Sequence, residues 1–88
     1  MPSIKRPKQS FDLVEVIWQD ASEMEGGWST DLEPPEMALA LSVGFLIHKD
    51  KNHYVLALDT DEHRSHNGRS QIPTGMVKKV KILRKADR

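Results

Sequence analysis

The chain contains no cysteine, which excludes disulfide frameworks, thiolate metal sites and thiol nucleophiles together. No apolar run approaches the roughly 20 residues a membrane-spanning helix requires, and residues 1–10 are too polar for a secretory signal. Aromatic residues are scarce at 6%, so few rings are available to build a core. Net charge is also missing: thirteen Lys and Arg cancel thirteen Asp and Glu, and no global field advertises a polyanionic partner. These absences point to a soluble protein of the cytoplasm. What remains is ordinary globular composition, 38% hydrophobic and 30% charged over 88 residues. That is enough for one small domain with one core.

Charge that cancels in total is segregated along the chain. Residues 1–10 carry Lys5, Arg6 and Lys8 without an acid. Residues 11–37 hold eight acids and no Lys or Arg, while residues 76–88 set Lys78, Lys79, Lys81, Arg84, Lys85 and Arg88 against Asp87 alone. Two basic ends around an acidic segment fit a nucleic-acid surface built from both termini, or ends that pair with the acidic segment.

Hydrophobic periodicity predicts strands throughout. Residues 1–10, with Pro2 and Pro7 among basic side chains, read as a flexible basic arm, and residues 85–88 as a basic tail. Between them, residues 11–84 form the domain. In residues 11–18, Val14, Val16 and Trp18 share one face with Asp12, and Glu15 points the other way. Residues 20–31, with Gly26-Gly27, read as a loop in which Trp28 acts as a lid on the core edge. Residues 32–41 carry Pro34-Pro35 before strong helix formers, but about two turns cannot hold a helix alone, so an irregular connection or one helical turn is expected. Residues 42–49 and 53–58 make a hairpin around Asp50-Lys51-Asn52, with Phe45 and Ile47 on one face of the first strand and Tyr54, Leu56 and Leu58 on one face of the second. Gly44 near the start of that hairpin is costly unless the strand bends or another backbone approaches it. Residues 59–69 read as a polar loop, 70–73 as a short strand, 74–76 as a tight turn and 77–83 as a closing strand with Val80 and Ile82 inward. Lys79 and Lys81 then face outward beside Asp12 and Glu15 of the opening strand. Five strands with long polar loops predict an all-β fold, a small five-stranded barrel.

Catalytic constellations are weak. Asp59, Asp61, Glu62, His63 and His66 gather three carboxylates and two imidazoles that could hold Mg²⁺, Mn²⁺ or Zn²⁺. Arg64, Arg69 and Asn67-Gly68 in the same stretch read instead as a solvated turn, so no metal and no cofactor are expected. There is no Gly-x-Ser-x-Gly elbow, and Gly26-Gly27 runs into Trp28 rather than a helix N-terminus, so neither acyl transfer nor phosphate cradling is indicated. A non-enzymatic protein is expected.

The hairpin resembles the first motif of the Sm family: Gly44, Phe45 and Leu46, then Ile47-His48-Lys49, Asp50 and the strand Tyr54-Val55-Leu56-Ala57-Leu58. Ile72-Pro73-Thr74-Gly75 stands where that family's second motif usually shows apolar–Arg–Gly. Over residues 14–83 the chain also resembles small phage and marine-viral proteins that share a Val-x-Val-x-Trp-x-Asp-Ala opening, Ser-Val-Gly-aromatic-Leu, and Ile-Pro before the last strand. The Sm resemblance implies a small Sm-like (SH3-like) barrel that assembles into a homo-oligomeric ring, the last-but-one strand of one subunit pairing with the closing strand of the next. It further implies single-stranded RNA or DNA held by the hairpin turn and the final turn. The stacking position then falls on Asn52, the hydrogen-bonding position on Tyr54 and the arginine position on Thr74, each a departure from the family's usual residue. His53 beside them could stack on bases, and Lys49 and Lys51 could attract phosphate. Tyr54 reads equally as a core aromatic of its strand. Two other functions stay open: a phage anti-defence protein that sequesters a small nucleotide at its subunit interfaces, and a structural adaptor.

Overall fold

The computed structural model describes residues 3–19 and 38–88. The readings of Gly26-Gly27, of Trp28 as a lid and of residues 32–37 lie outside the described residues. Five antiparallel strands form one sheet: β1 (Leu13–Gln19), β2 (Leu39–Lys49), β3 (His53–Thr60), β4 (His66–Pro73) and β5 (Val77–Arg84), with a 3-10 turn at Thr74–Met76. The strand order is β4-β3-β2-β1-β5. The fold is all-β, as the alternation of apolar residues predicts. β4 and β5 stand at opposite edges and do not pair with each other, so the sheet of a single chain is open. Among the described residues, no helix is long and apolar enough to cross a membrane.

β2 behaves as two half-strands. Its first half, from Leu39 to Phe45, pairs with β1, and its second half, from Phe45 to Lys49, pairs with β3. Only Phe45 serves both neighbours. Gly44 sits at the changeover, where an added Cβ would lie 2.9 Å from the Ala57 carbonyl oxygen and 3.1 Å from Leu56 Cβ. The close backbone approach expected at Gly44 is therefore present, and it lets the sheet curl. Curling brings Val14 and Val16 of β1 against Tyr54, Leu56 and Ile72 of β3 and β4, with Trp18, Leu46, Val77 and Val80 around them. Val14 and Val16 are fully buried. This small core is why a scarcity of aromatics is tolerated: β-branched side chains fill the crease of a bent sheet.

Several sequence boundaries are corrected. Leu39 to Leu41 belong to β2 rather than to a helical turn, because Ile17 and Gln19 of β1 supply ladder partners for them. The predicted polar loop at 59–69 shrinks to residues 61–65. Asp59 and Thr60 extend β3, and His66 to Arg69 open β4, pairing across as Asp59 with Asn67 and Thr60 with His66. Cross-strand hydrogen bonding overrides the polar composition of that stretch, since both strands are exposed there and nothing needs to be apolar. In the hairpin, the inward residue is Leu46 rather than Phe45. Leu58 lies beyond the core edge, 69% exposed. The expected pairing of the outward lysines with β1 is met in register by Lys81 opposite Glu15, whereas Lys79 faces Ile17. Asp12 accepts instead from the Ala86 backbone N–H at 2.7 Å.

The two chain ends, read as a flexible arm and a separate tail, meet. Gln9 is buried. Its Nε2 donates to the Phe11 and Arg84 carbonyls at 2.9 and 3.1 Å, and its Oε1 accepts from Arg6 at 2.8 Å. The Gln9 N–H donates to the Asp87 carboxylate, the Asp87 N–H donates back to the Gln9 carbonyl at 2.8 Å, and Arg6 pairs with Asp87 at 3.2 Å. No hydrophobic pattern announces such a polar clasp, so composition alone reads both segments as free.

Candidate nucleic-acid interface

The hairpin turn at residues 50–52 is built by one carboxylate. Asp50 Oδ1 accepts from the backbone N–H groups of Asn52 and His53, both at 2.7 Å, and its backbone N–H donates to the His53 carbonyl at 2.9 Å. This is how Asp organises a turn, by replacing a backbone acceptor with its own side chain. Oδ2 meets His48 Nε2 at 2.8 Å. The His48 contact first, then the two backbone donors, lower the Asp50 pKa from 3.8 to about 2. Because the folded value is depressed, the support this carboxylate gives the turn is fully present above pH 3.8 and is lost as pH falls through about 2. Following the Asn52 and His53 amide resonances through an acid titration should therefore show a midpoint near 2. A midpoint at the ordinary carboxylate value would mean these bonds do not form in solution.

The second turn docks on the first. Thr74 N–H donates to the Asn52 carbonyl at 2.9 Å, and its hydroxyl donates to the Asp50 carbonyl at 3.3 Å. Proline at 73 helps, since its extended backbone delivers Thr74 to the start of the 3-10 turn, and Pro73 lies opposite His53 in the β3–β4 ladder. Four of the predicted site residues are thus neighbours: Lys51 and Asn52 exposed at the tip, His53 half-buried at the start of β3, and Thr74 against them. Lys51 has no hydrogen-bond or ion-pair partner among the described residues.

Tyr54 and Lys49 are placed differently. Tyr54 is only 9% exposed and belongs to the core cluster, opposite Ile72. The Lys49 ammonium lies over its ring, 5.0 Å from the centroid, a cation–π contact that covers the one face a base would need. The core-aromatic reading of Tyr54 is the one its burial supports. The Asp59–His66 stretch brings no metal site together: among the described residues, no three His, Asp or Glu side chains are grouped to hold an ion. Asp61 Oδ1 instead accepts from the His63 and Ser65 backbone N–H groups at 2.9 Å, which with Arg64 in a left-handed conformation (φ 68°) closes the short loop. These hydrogen bonds hold the Asp61 carboxyl below its usual range, the Ser65 N–H first.

Sequence reading missed Asp50 as the organiser of the site, although an Asp-x-Asn between two strands carries that signal. It also missed the clasp of the ends, for which there is no local signal. The chain matches no protein-family model, no curated protein and no solved structure.

Proposed function

We propose that this protein is a non-enzymatic, Sm-like ring-forming protein, phage-encoded and cytoplasmic, that binds single-stranded RNA or DNA through its two joined turns. The observation that carries the reading is the docking of Thr74 on Asn52 and Asp50, which puts the two turns of the Sm pattern on one rim with Lys51 and His53 beside them. The open sheet supports assembly. Each chain presents a β4 edge and a β5 edge, and the β5 strand leaves Ile82 and Leu83 nearly half exposed. Unpaired edges invite strand addition, and head-to-tail pairing of β5 with the β4 of a second copy would close the Sm-like barrel wall into a cyclic array.

Within such a ring, Lys51 of every copy adds phosphate attraction, and His53 with Asn52 offers the stacking and hydrogen-bonding groups. Tyr54 contributes as the buried support of that rim. Native mass measurement should give a closed multimer rather than a single chain. In a single-stranded RNA titration, affinity should fall as salt rises, and Lys51→Ala should flatten that dependence by about 0.7 in log–log slope for each phosphate it no longer neutralises. A monomer with salt-independent or absent RNA binding ends this reading. Tight, salt-insensitive uptake of a mononucleotide would favour sequestration of a nucleotide signal, and failure of both bindings would leave a structural adaptor.

A further inference from the structure

Away from the joined turns, the outer face of β2, β3 and β4 carries a groove of about 570 Å³ lined by Ile47, His48, Val55, His66, Arg69 and Gln71. A β-bulge shapes its floor. The β2–β3 register shifts between Leu46 and His48, so Ile47 and His48 together face the single residue Val55. Strict alternation would turn His48 inward beside Leu46; the extra residue sends it outward instead. Val55 in turn lies opposite Gln71, and Ala57 opposite Arg69. His48, Val55 and Gln71 therefore form one row across three strands, and Arg69 stands in the next outward row. Strand positions hold these groups more rigidly than loops would.

The chemistry converges on an anion joined to a flat group. No acidic side chain lines the groove. Arg69, His66 and Gln71 have no hydrogen-bond or ion-pair partner among the described residues. His48 is anchored through Nε2 by Asp50, which leaves Nδ1 uncommitted. A free guanidinium takes a phosphate with two parallel hydrogen bonds, which a lysine cannot match. An amide offers both donor and acceptor to a base edge, imidazoles stack on bases, and the Ile47–Val55 floor suits a base face. The volume lies in the range of small-molecule sites. We propose that this groove binds a nucleotide, its phosphate on Arg69 and its base over Ile47 and Val55 toward Gln71. A free mononucleotide and one nucleotide of a single strand present the same chemistry. The inference is independent of the ring and of the joined turns.

The test uses the full chain, isotope-labelled, titrated separately with uridine monophosphate, adenosine monophosphate, uridine, inorganic phosphate and a short oligouridylate. A mononucleotide should move the amides of Val55, Arg69 and Gln71 and leave those of Lys51 and Asn52 in place. Arg69→Ala, at an exposed side chain whose loss should not shift the unfolding midpoint, should weaken binding about tenfold or more. Lys51→Ala should leave mononucleotide binding unchanged. Uridine and phosphate alone should each bind at least about tenfold more weakly than the monophosphate that joins them. An Arg69-dependent response to the oligomer but not to mononucleotides would identify the strand as the source of the ligand, and the reverse pattern the free nucleotide; both support the groove. No response to either at millimolar ligand, binding untouched by Arg69→Ala, or phosphate binding as tightly as the nucleotide would overturn it. Strand binding lost in Lys51→Ala but intact in Arg69→Ala sinks the groove alone, and the converse sinks the turn site alone.

Discussion

Gly44→Ala should lower stability by about 1–3 kcal/mol, and Gly44→Val should abolish cooperative unfolding altogether. Gly44 is not in the left-handed region, since the only glycine there is Gly68, so its requirement is steric. An added Cβ would sit 2.9 Å from the Ala57 carbonyl oxygen and 3.1 Å from Leu56 Cβ. One obstacle is backbone and the other is the base of a buried side chain, so neither can step aside by changing rotamer. Relief comes only by opening the β2–β3 seam, which is where β2 passes from one ladder to the next. A domain of this size has few kcal/mol to lose, and each one moves the melting temperature by roughly 4–8 °C. Thermal and denaturant unfolding of both variants checks this. A Gly44→Ala protein that melts with the parent would mean that β2 does not bend against Ala57.

The second large effect is expected at Gln9. Gln9→Ala should cost about 1–3 kcal/mol, because it strips partners from the Phe11 and Arg84 carbonyls and from Arg6 in a part-buried setting. Both ends should then become accessible to protease. The clasp also has a consequence for charge. It joins the arm that carries Lys5, Arg6 and Lys8 to the segment that carries Arg84, Lys85 and Arg88, so the two basic ends of the sequence form one surface. Asp87→Ala separates two explanations of how the ends act. It removes an acid, so attraction by net charge alone would tighten single-stranded RNA binding. Release of the clasp would scatter the cations and weaken binding, and this is the expected outcome. The Asp87 carboxyl is already held below its usual range, chiefly by the Gln9 N–H and then by Arg6, as befits a group that works as an acceptor. Tighter binding by Asp87→Ala would show that the ends act only as loose charge.

How legible this molecule is from its sequence depends on the range of the forces involved. Period-two patterning in β1 is strong because Val14, Val16 and Trp18 all face one core, and the Asp50-Lys51-Asn52 turn is local chemistry that needs no tertiary partner. Glycine at 44 could likewise be read as a bend or a close approach. His66 to Arg69, in contrast, look like loop and are strand, since an exposed edge ladder is held by backbone hydrogen bonds that composition does not report. His48 looks inward and faces outward, because a single-residue bulge reverses the parity of everything after it. The turn site was half visible: its residues were nameable, but Tyr54 could be assigned to the core only once Ile72 and Leu56 were seen around it.

By itself, then, the sequence determined the class of fold, the hairpin and its turn, the glycine at the bend and the segregation of charge, all consequences of interactions between residues close along the chain. Tertiary structure alone decided that the sheet stays open at β4 and β5, that Thr74 seats on Asn52, that the basic ends clasp through Gln9, and that Arg69, His66 and Gln71 share a groove with His48. Those outcomes depend on strand register and on hydrogen bonds between residues up to 81 positions apart. Local propensity carries no information about which distant partner will satisfy a polar group.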